Sequence, residues 1–211
     1  MHKIEHLYQL GRIFLAYRQK KVRNIPLPIR LWVEPNPYCN LKCPMCPQSD
    51  PRISEVTRGK AYMDFELYKK IIDEAGEHVY DINLAHRDES LFHKSLPQMI
   101  RYAAEKGIKT RLHTNATILN EKLSRALLDS GLDLLSFSFD GFKKEPYEKI
   151  RVRANFEKTL ANIIQFLELK KKYRSRKPYT VFQVIELNGN TEGKQEFITG
   201  FAAHKKLGIL R

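Results

Sequence analysis

Cys39, Cys43 and Cys46 are the only cysteines of the chain and stand in one run, Cys39-Asn40-Leu41-Lys42-Cys43-Pro44-Met45-Cys46, with three residues between the first two and two between the last pair. That spacing lets a short loop wrap a metal cluster corner to corner. Thiolates are soft ligands that iron and zinc both accept, so ligand type leaves both metals open. Ligand number is more telling. A structural zinc ion is normally closed by four ligands, whereas His78, His86 and His93 lie far along the chain and show no paired metal spacing. A cubane held by only these thiolates keeps one iron open, which is a place for chemistry. An odd, clustered cysteine count is also unlike a disulfide framework and fits a metal site in a reducing compartment.

Such a loop needs a scaffold, and the rest of the chain reads as one. A short strand at 30–34 leads into the cysteines. Asp64 is placed to cap a helix whose apolar positions Tyr68, Ile71, Ile72 and Ala75 recur at helical spacing. A strand follows at 81–85. Ser95 and Pro97 open a second helix, and Gly107 closes it before a strand at 108–115. Asn120 caps a third helix that ends at Gly131. After a strand at 132–140 comes a long helix with Phe156, Leu160, Ile163, Ile164 and Leu167 on one face, then a strand at 179–187.

Strands alternating with helices predict an α/β fold of parallel βα units, in a barrel or a doubly wound sheet. Strand parity helps to choose. Leu135, Phe137 and Phe139 share one face of the strand at 132–140, while Leu134, Ser136, Ser138 and Asp140 share the other, so polar groups gather at the strand C-terminus. Barrels of this type build their sites there. The expected architecture is a partial (βα) barrel of about five to six units preceded by an N-terminal helix. Residues 1–28 are expected to form the helix and lead-in and residues 29–211 a core truncated at its C-terminus, with the apolar stretch at 207–211 beginning a further strand.

Lys and Arg outnumber Asp and Glu by 37 to 24, giving a net charge of +13 and a field that attracts phosphates, acidic peptides or anionic lipid without choosing among them. The basic run from Lys170 to Lys177 suits the negative end of the long helix better than a nucleic-acid patch. Charges interrupt residues 1–22 too often for a membrane span, and a cytoplasmic location is expected. Ile4, Leu7, Tyr8 and Phe14 fall at helical spacing that could suit a membrane surface, although a helix packed on the domain is the expectation.

The three-cysteine spacing, directly after a first strand and before a run of βα units, resembles the radical S-adenosylmethionine superfamily. The resemblance runs over roughly residues 29–187. It is nearest to the subgroup of molybdenum-cofactor, quinone-cofactor and sulfatase-maturation enzymes, and Glu34-Pro35-Asn36-Pro37-Tyr38 looks like the family's approach to its cluster. What it implies is a 4Fe-4S cluster on Cys39, Cys43 and Cys46 whose open iron chelates S-adenosylmethionine. One electron, from a reductant such as flavodoxin or ferredoxin, then gives a 5′-deoxyadenosyl radical that acts on an unknown small molecule or peptide.

By the same resemblance Met45 lies near the adenine and Glu89 receives the cofactor's ammonium. Ser138 and Arg151 match positions that bind ribose or carboxylate, and Asn115 lines the same mouth. No side chain is assigned to catalysis itself. The run Arg87-Asp88-Glu89-Ser90 departs from the family's Gly-Gly-Glu-Pro-like motif, and Asp88 is expected to point into the cofactor site and crowd it. Cysteine-rich C-terminal extensions of the subgroup have no counterpart after Cys46. The competing readings are a degenerate or truncated member that binds a cluster without turnover and a basic binding module with structural metal.

Overall fold

The computed structural model describes residues 3–53, 62–187 and 189–203. The strand expected at 207–211 lies outside them. Helix α1 (Lys3–Arg18) is followed by β1 (Arg30–Trp32), α2 (Phe65–Ala75), β2 (Asp81–Asn83), α3 (Leu96–Glu105) and β3 (Lys109–Thr114). The chain continues through α4 (Glu121–Leu128), β4 (Leu134–Ser138), α5 (Lys144–Ile150), α6 (Phe156–Lys172), β5 (Tyr179–Gln183) and α7 (Lys194–Ala203).

The helix starts follow local chemistry. Asp64 accepts from the backbone N–H groups of Glu66 and Leu67, and Asn120 accepts from Leu123, so each satisfies donors that the first helical turn leaves orphaned. Gly107 and Gly131 follow α3 and α4 with φ of +76° and +85°, a left-handed conformation that costs glycine nothing.

Every strand pairs in parallel with the next one in sequence, giving a five-stranded sheet of order β1-β2-β3-β4-β5. A doubly wound sheet would reverse its strand order at a switch point. This sheet does not, and it has the order of an open barrel segment. One face is greasy: Ile82, Leu84, Leu112, Leu135 and Phe137 are buried with Tyr68 and Ile72 of α2, Met99 and Ile100 of α3, and Ile163 and Phe166 of α6. The Phe137 and Phe166 rings meet edge to face at 5.8 Å. Parity then forces Asp81, Asn83, Arg111, His113, Ser136 and Ser138 onto the opposite, concave face.

Two expectations need correction. Helix α5 was not anticipated: only seven residues long, with Pro146 inside, it offers too little periodicity to read. In α1 the bulky apolar side chains Ile4, Leu7, Tyr8 and Phe14 are exposed, instead of packing on the domain. The helix turns a different stripe inward. Ala16 is buried, the His6 ring stacks on Tyr80 at 4.2 Å, and Gln9 Nε2 donates to the Leu27 carbonyl at 2.9 Å. Among the described residues no helix is long and apolar enough to cross a membrane.

Candidate active site

The cysteine loop is built before anything binds it. Cys46 N–H donates to the Cys43 carbonyl at 2.9 Å and Ser49 Oγ to the same oxygen at 2.7 Å, curling the loop back on itself. It is stapled to its surroundings at both ends. Gln48 Nε2 donates to the Pro37 carbonyl at 2.7 Å, and Lys42 N–H to the Val152 carbonyl at 3.1 Å.

All three cysteines line one pocket of about 130 Å³, together with Glu89, Asn115, Ser138 and Arg151. The elements explain the gathering: the loop after β1 brings the thiols, the loop after β2 brings Glu89, and Asn115 and Ser138 sit at or just past the ends of β3 and β4. Arg151 arrives as the C-terminal cap of α5. Strand C-termini therefore converge where barrel sites are built. A larger groove of about 640 Å³, lined by Gln98, Arg101 and Lys122 among others, opens between α3 and α4 and contains none of these groups.

Leu41 N–H donates to Cys39 Sγ at 3.5 Å, and two side-chain donors also face sulfur. Asn115 Nδ2 lies 3.7 Å from Cys39 Sγ and Arg151 Nη1 lies 3.8 Å from Cys43 Sγ. Both are poised for thiolate acceptors, which fits metal-bound sulfur better than neutral thiols. Burial pushes the Cys39 thiol up to about 11, with the Glu89 carboxylate and the neighbouring thiols adding to it. Burial also raises Cys43, against the pull of Arg151. Metal uptake at these sulfurs must release protons.

Glu89 is fully buried. Its carboxylate accepts from Thr114 Oγ1 at 2.7 Å, Asn115 N–H at 2.7 Å and Leu91 N–H at 3.3 Å. Burial nevertheless wins over these bonds and pushes its pKa from 4.5 to about 7. Since the folded value lies above the ordinary one, the carboxyl stabilises the folded chain fully below pH 4.5 and that contribution is lost as pH rises through 7. Over the window this amounts to about 3 kcal/mol. The urea midpoint of the metal-free chain is expected to fall between roughly pH 5 and pH 8, and Glu89→Gln to flatten the fall. Equal slopes in the two proteins would show that Glu89 does not titrate there.

The residues at the glycine positions line the pocket and are held by hydrogen bonds. Asp88 does not stand free in the pocket: its carboxylate accepts from His86 N–H at 3.1 Å, Asn36 Nδ2 at 3.1 Å and Ser90 Oγ at 2.9 Å. Arg87 N–H and guanidinium reach the Glu34 carboxylate at 2.8 and 3.4 Å. Side chains in place of glycines thus tie the loop after β2 to the approach at 34–36, and both Arg87 and Asp88 also line the pocket that holds the cysteines. Burial raises Asp88 to about 6, adding to the same pH trend.

Met45 is not brought to the pocket; it is exposed and lines the outer side of the loop with Cys46, Pro47 and Arg52. His113 bonds Gln183 Oε1 through Nδ1 at 3.0 Å and lines the pocket. Buried Asn36 escaped sequence reasoning, and so did the partners of Asp140. Asn36 Nδ2 donates to the Glu89 carbonyl at 3.1 Å as well as to Asp88, and its Oδ1 accepts from Tyr38 N–H at 2.8 Å. The Asn-Pro pair at 36–37 is the one local signal, a turn former. Asp140 Oδ2 lies 2.5 Å from Arg151 Nη2 while Oδ1 accepts from Ile185 N–H at 2.7 Å. Between Asp140 and α5, Gly141 is required by close approach, since a Cβ there would meet Tyr147 N and Cα at 2.7 Å.

Residues 33–193 match the family model described as Radical SAM superfamily. Among curated proteins, the chain is 31% identical over 116 residues to the PqqA peptide cyclase of Rhodopseudomonas palustris, covering 54% of this chain and 29% of that protein. It is 32% identical over 133 residues to a probable GTP 3′,8-cyclase of Methanococcus maripaludis, covering 63% and 43%. The chain spans less than half the length of these relatives. Streptococcus suis SuiB bound to precursor peptide SuiA superposes with a TM-score of 0.69 at 16% identity, over 98% of this chain and 43% of that one. BtrN in complex with AdoMet and 2-DOIA superposes with a TM-score of 0.54 at 19% identity, over 74% and 57%. At these identities the structures speak to the fold alone.

Proposed function

The chain belongs to the radical SAM superfamily, and from that premise we propose that it is an enzyme that holds a 4Fe-4S cluster on Cys39, Cys43 and Cys46 and reductively cleaves S-adenosylmethionine. The observation that carries the reading is the single pocket in which the three thiols meet Glu89, Asn115, Ser138 and Arg151. When bound, such a cluster supplies the electron that cleaves the sulfonium to a 5′-deoxyadenosyl radical. The chain's own residues hold and orient. Asn115 and Arg151, which face the Cys39 and Cys43 sulfurs, would donate to those sulfurs and tune their electron density once they held a cluster. Glu89, once ionised, would take the ammonium end of the cofactor, and Ser138 would bind its ribose or carboxylate. Arg151 is held by Asp140 and so keeps a fixed positive charge beside Cys43. A one-electron reductant of the flavodoxin or ferredoxin kind and a substrate, small molecule or peptide, complete the proposal.

Anaerobic reconstitution followed by reduction with S-adenosylmethionine present tests it. The expected result is 5′-deoxyadenosine above a protein-free control, with Glu89→Ala reducing both cofactor binding and yield. Iron uptake without any 5′-deoxyadenosine would favour a cluster-binding member without turnover.

A further inference from the structure

The concave face below the pocket carries a charged row that the cluster does not use. Asp81 is almost wholly buried and is shared by two arginines: Arg30 reaches its carboxylate with Nε at 2.5 Å and Nη2 at 2.6 Å, and Arg111 with Nε at 2.8 Å. One carboxylate balances only one guanidinium. The other positive charge is left over on a face where the Arg30 and Arg111 side chains remain 41% and 37% exposed.

Strand register sets Trp32, Asn83 and Arg111 side by side on β1, β2 and β3. Trp32 is 57% exposed although it lies on a sheet face, and the Arg30 guanidinium sits 5.7 Å from its ring centroid. Asn83 is 8% exposed, and its buried side-chain oxygen has no hydrogen-bond partner. An unmet acceptor in such a place calls for a donor from outside the chain. The row adjoins the pocket, because His113, two residues beyond Arg111 on the same face of β3, lines the pocket.

We propose that this row is the substrate's seat and that the substrate is an anion, carrying a carboxylate or phosphate group held by Arg111 backed by Arg30, a donor that meets Asn83, and a flat or apolar part lying on Trp32. The proposal rests on the reading that the adjoining pocket is an active site. A guanidinium presents two parallel donors to either oxyanion, and a positively charged chain draws such ligands in.

Trp32 is the only tryptophan of the chain, so its emission reports this row alone. Inorganic phosphate and malonate are titrated separately into the purified chain at an ionic strength held constant with chloride. Saturable changes in emission are expected with at least one, and which anion binds tighter identifies the oxyanion. Arg111→Gln should weaken that binding by about tenfold or more and Arg111→Lys, which keeps the charge and loses the fork, by less. Circular dichroism of both variants confirms the fold. A response to neither anion, or one undiminished in folded Arg111→Gln, overturns the proposal. Iron uptake by the same preparations separates the two readings: normal iron with no anion response refutes this inference alone, and an anion response without iron refutes the cluster reading alone.

Discussion

Cys43→Ala is expected to drop iron incorporation from about four per chain to background, as for a cubane that loses one of three thiolate ligands. Cys43 is the central ligand of the run and the most buried of the three, and its sulfur receives Arg151. No spare cysteine exists to take its place. The metal-free fold should tolerate the change, because the loop is closed by the Cys43 carbonyl, which Cys46 N–H and Ser49 Oγ share and which alanine retains. Iron and sulfide analysis after anaerobic reconstitution, with circular dichroism as the fold control, measures this. Zinc bound at about one per chain, with no iron taken up by the unaltered protein, would overturn the cluster assignment.

Asp140→Ala is expected to destabilise the chain by about 3–5 kcal/mol, the usual result of stripping one partner from a buried ion pair. Asp140 is fully buried and Arg151 nearly so, and the same carboxylate also holds Ile185 N–H beyond β5. Its loss leaves a guanidinium without its counter-charge next to Cys43. Replacing both partners, Asp140→Leu with Arg151→Met, should restore much of the stability, since an apolar pair carries no uncompensated charge. Urea denaturation of the two single variants and the double variant gives the coupling directly. Additive losses across the cycle would show that the pair contributes nothing beyond its separate members.

Legibility in the sequence followed the distance over which each feature acts. The cysteine run could be read because its ligands are neighbours, and the caps at Asp64 and Asn120 because a cap bonds only two or three residues ahead. Strand parity placed Ser138 on the polar face, and it lines the pocket. Features made by distant pairs were opaque. Nothing near Asn36 announces its bonds to Asp88 and Glu89, more than fifty residues on. For Asp88, the bond from Asn36 that holds its carboxylate spans the same distance and could not be read. Met45 was assigned by its place beside a cysteine, but the loop's curl turns it outward. In α1, bulk was mistaken for burial: the interior took the small Ala16 and left the large side chains outside.

The sequential strand order also sets a timetable. A sheet that adds each new strand beside the previous one can assemble as the polypeptide emerges during synthesis, with no strand waiting for a distant mate. The cysteine loop emerges early, yet the Arg151 that steadies Cys43 is made 108 residues later, and the Val152 carbonyl that closes on Lys42 comes one residue after that. A nascent chain therefore presents its thiols to oxidants through much of its own translation. On the proposed function, cluster insertion would belong after the fourth strand and its following helix have formed, when the ribosome has already passed the residues that would shelter it.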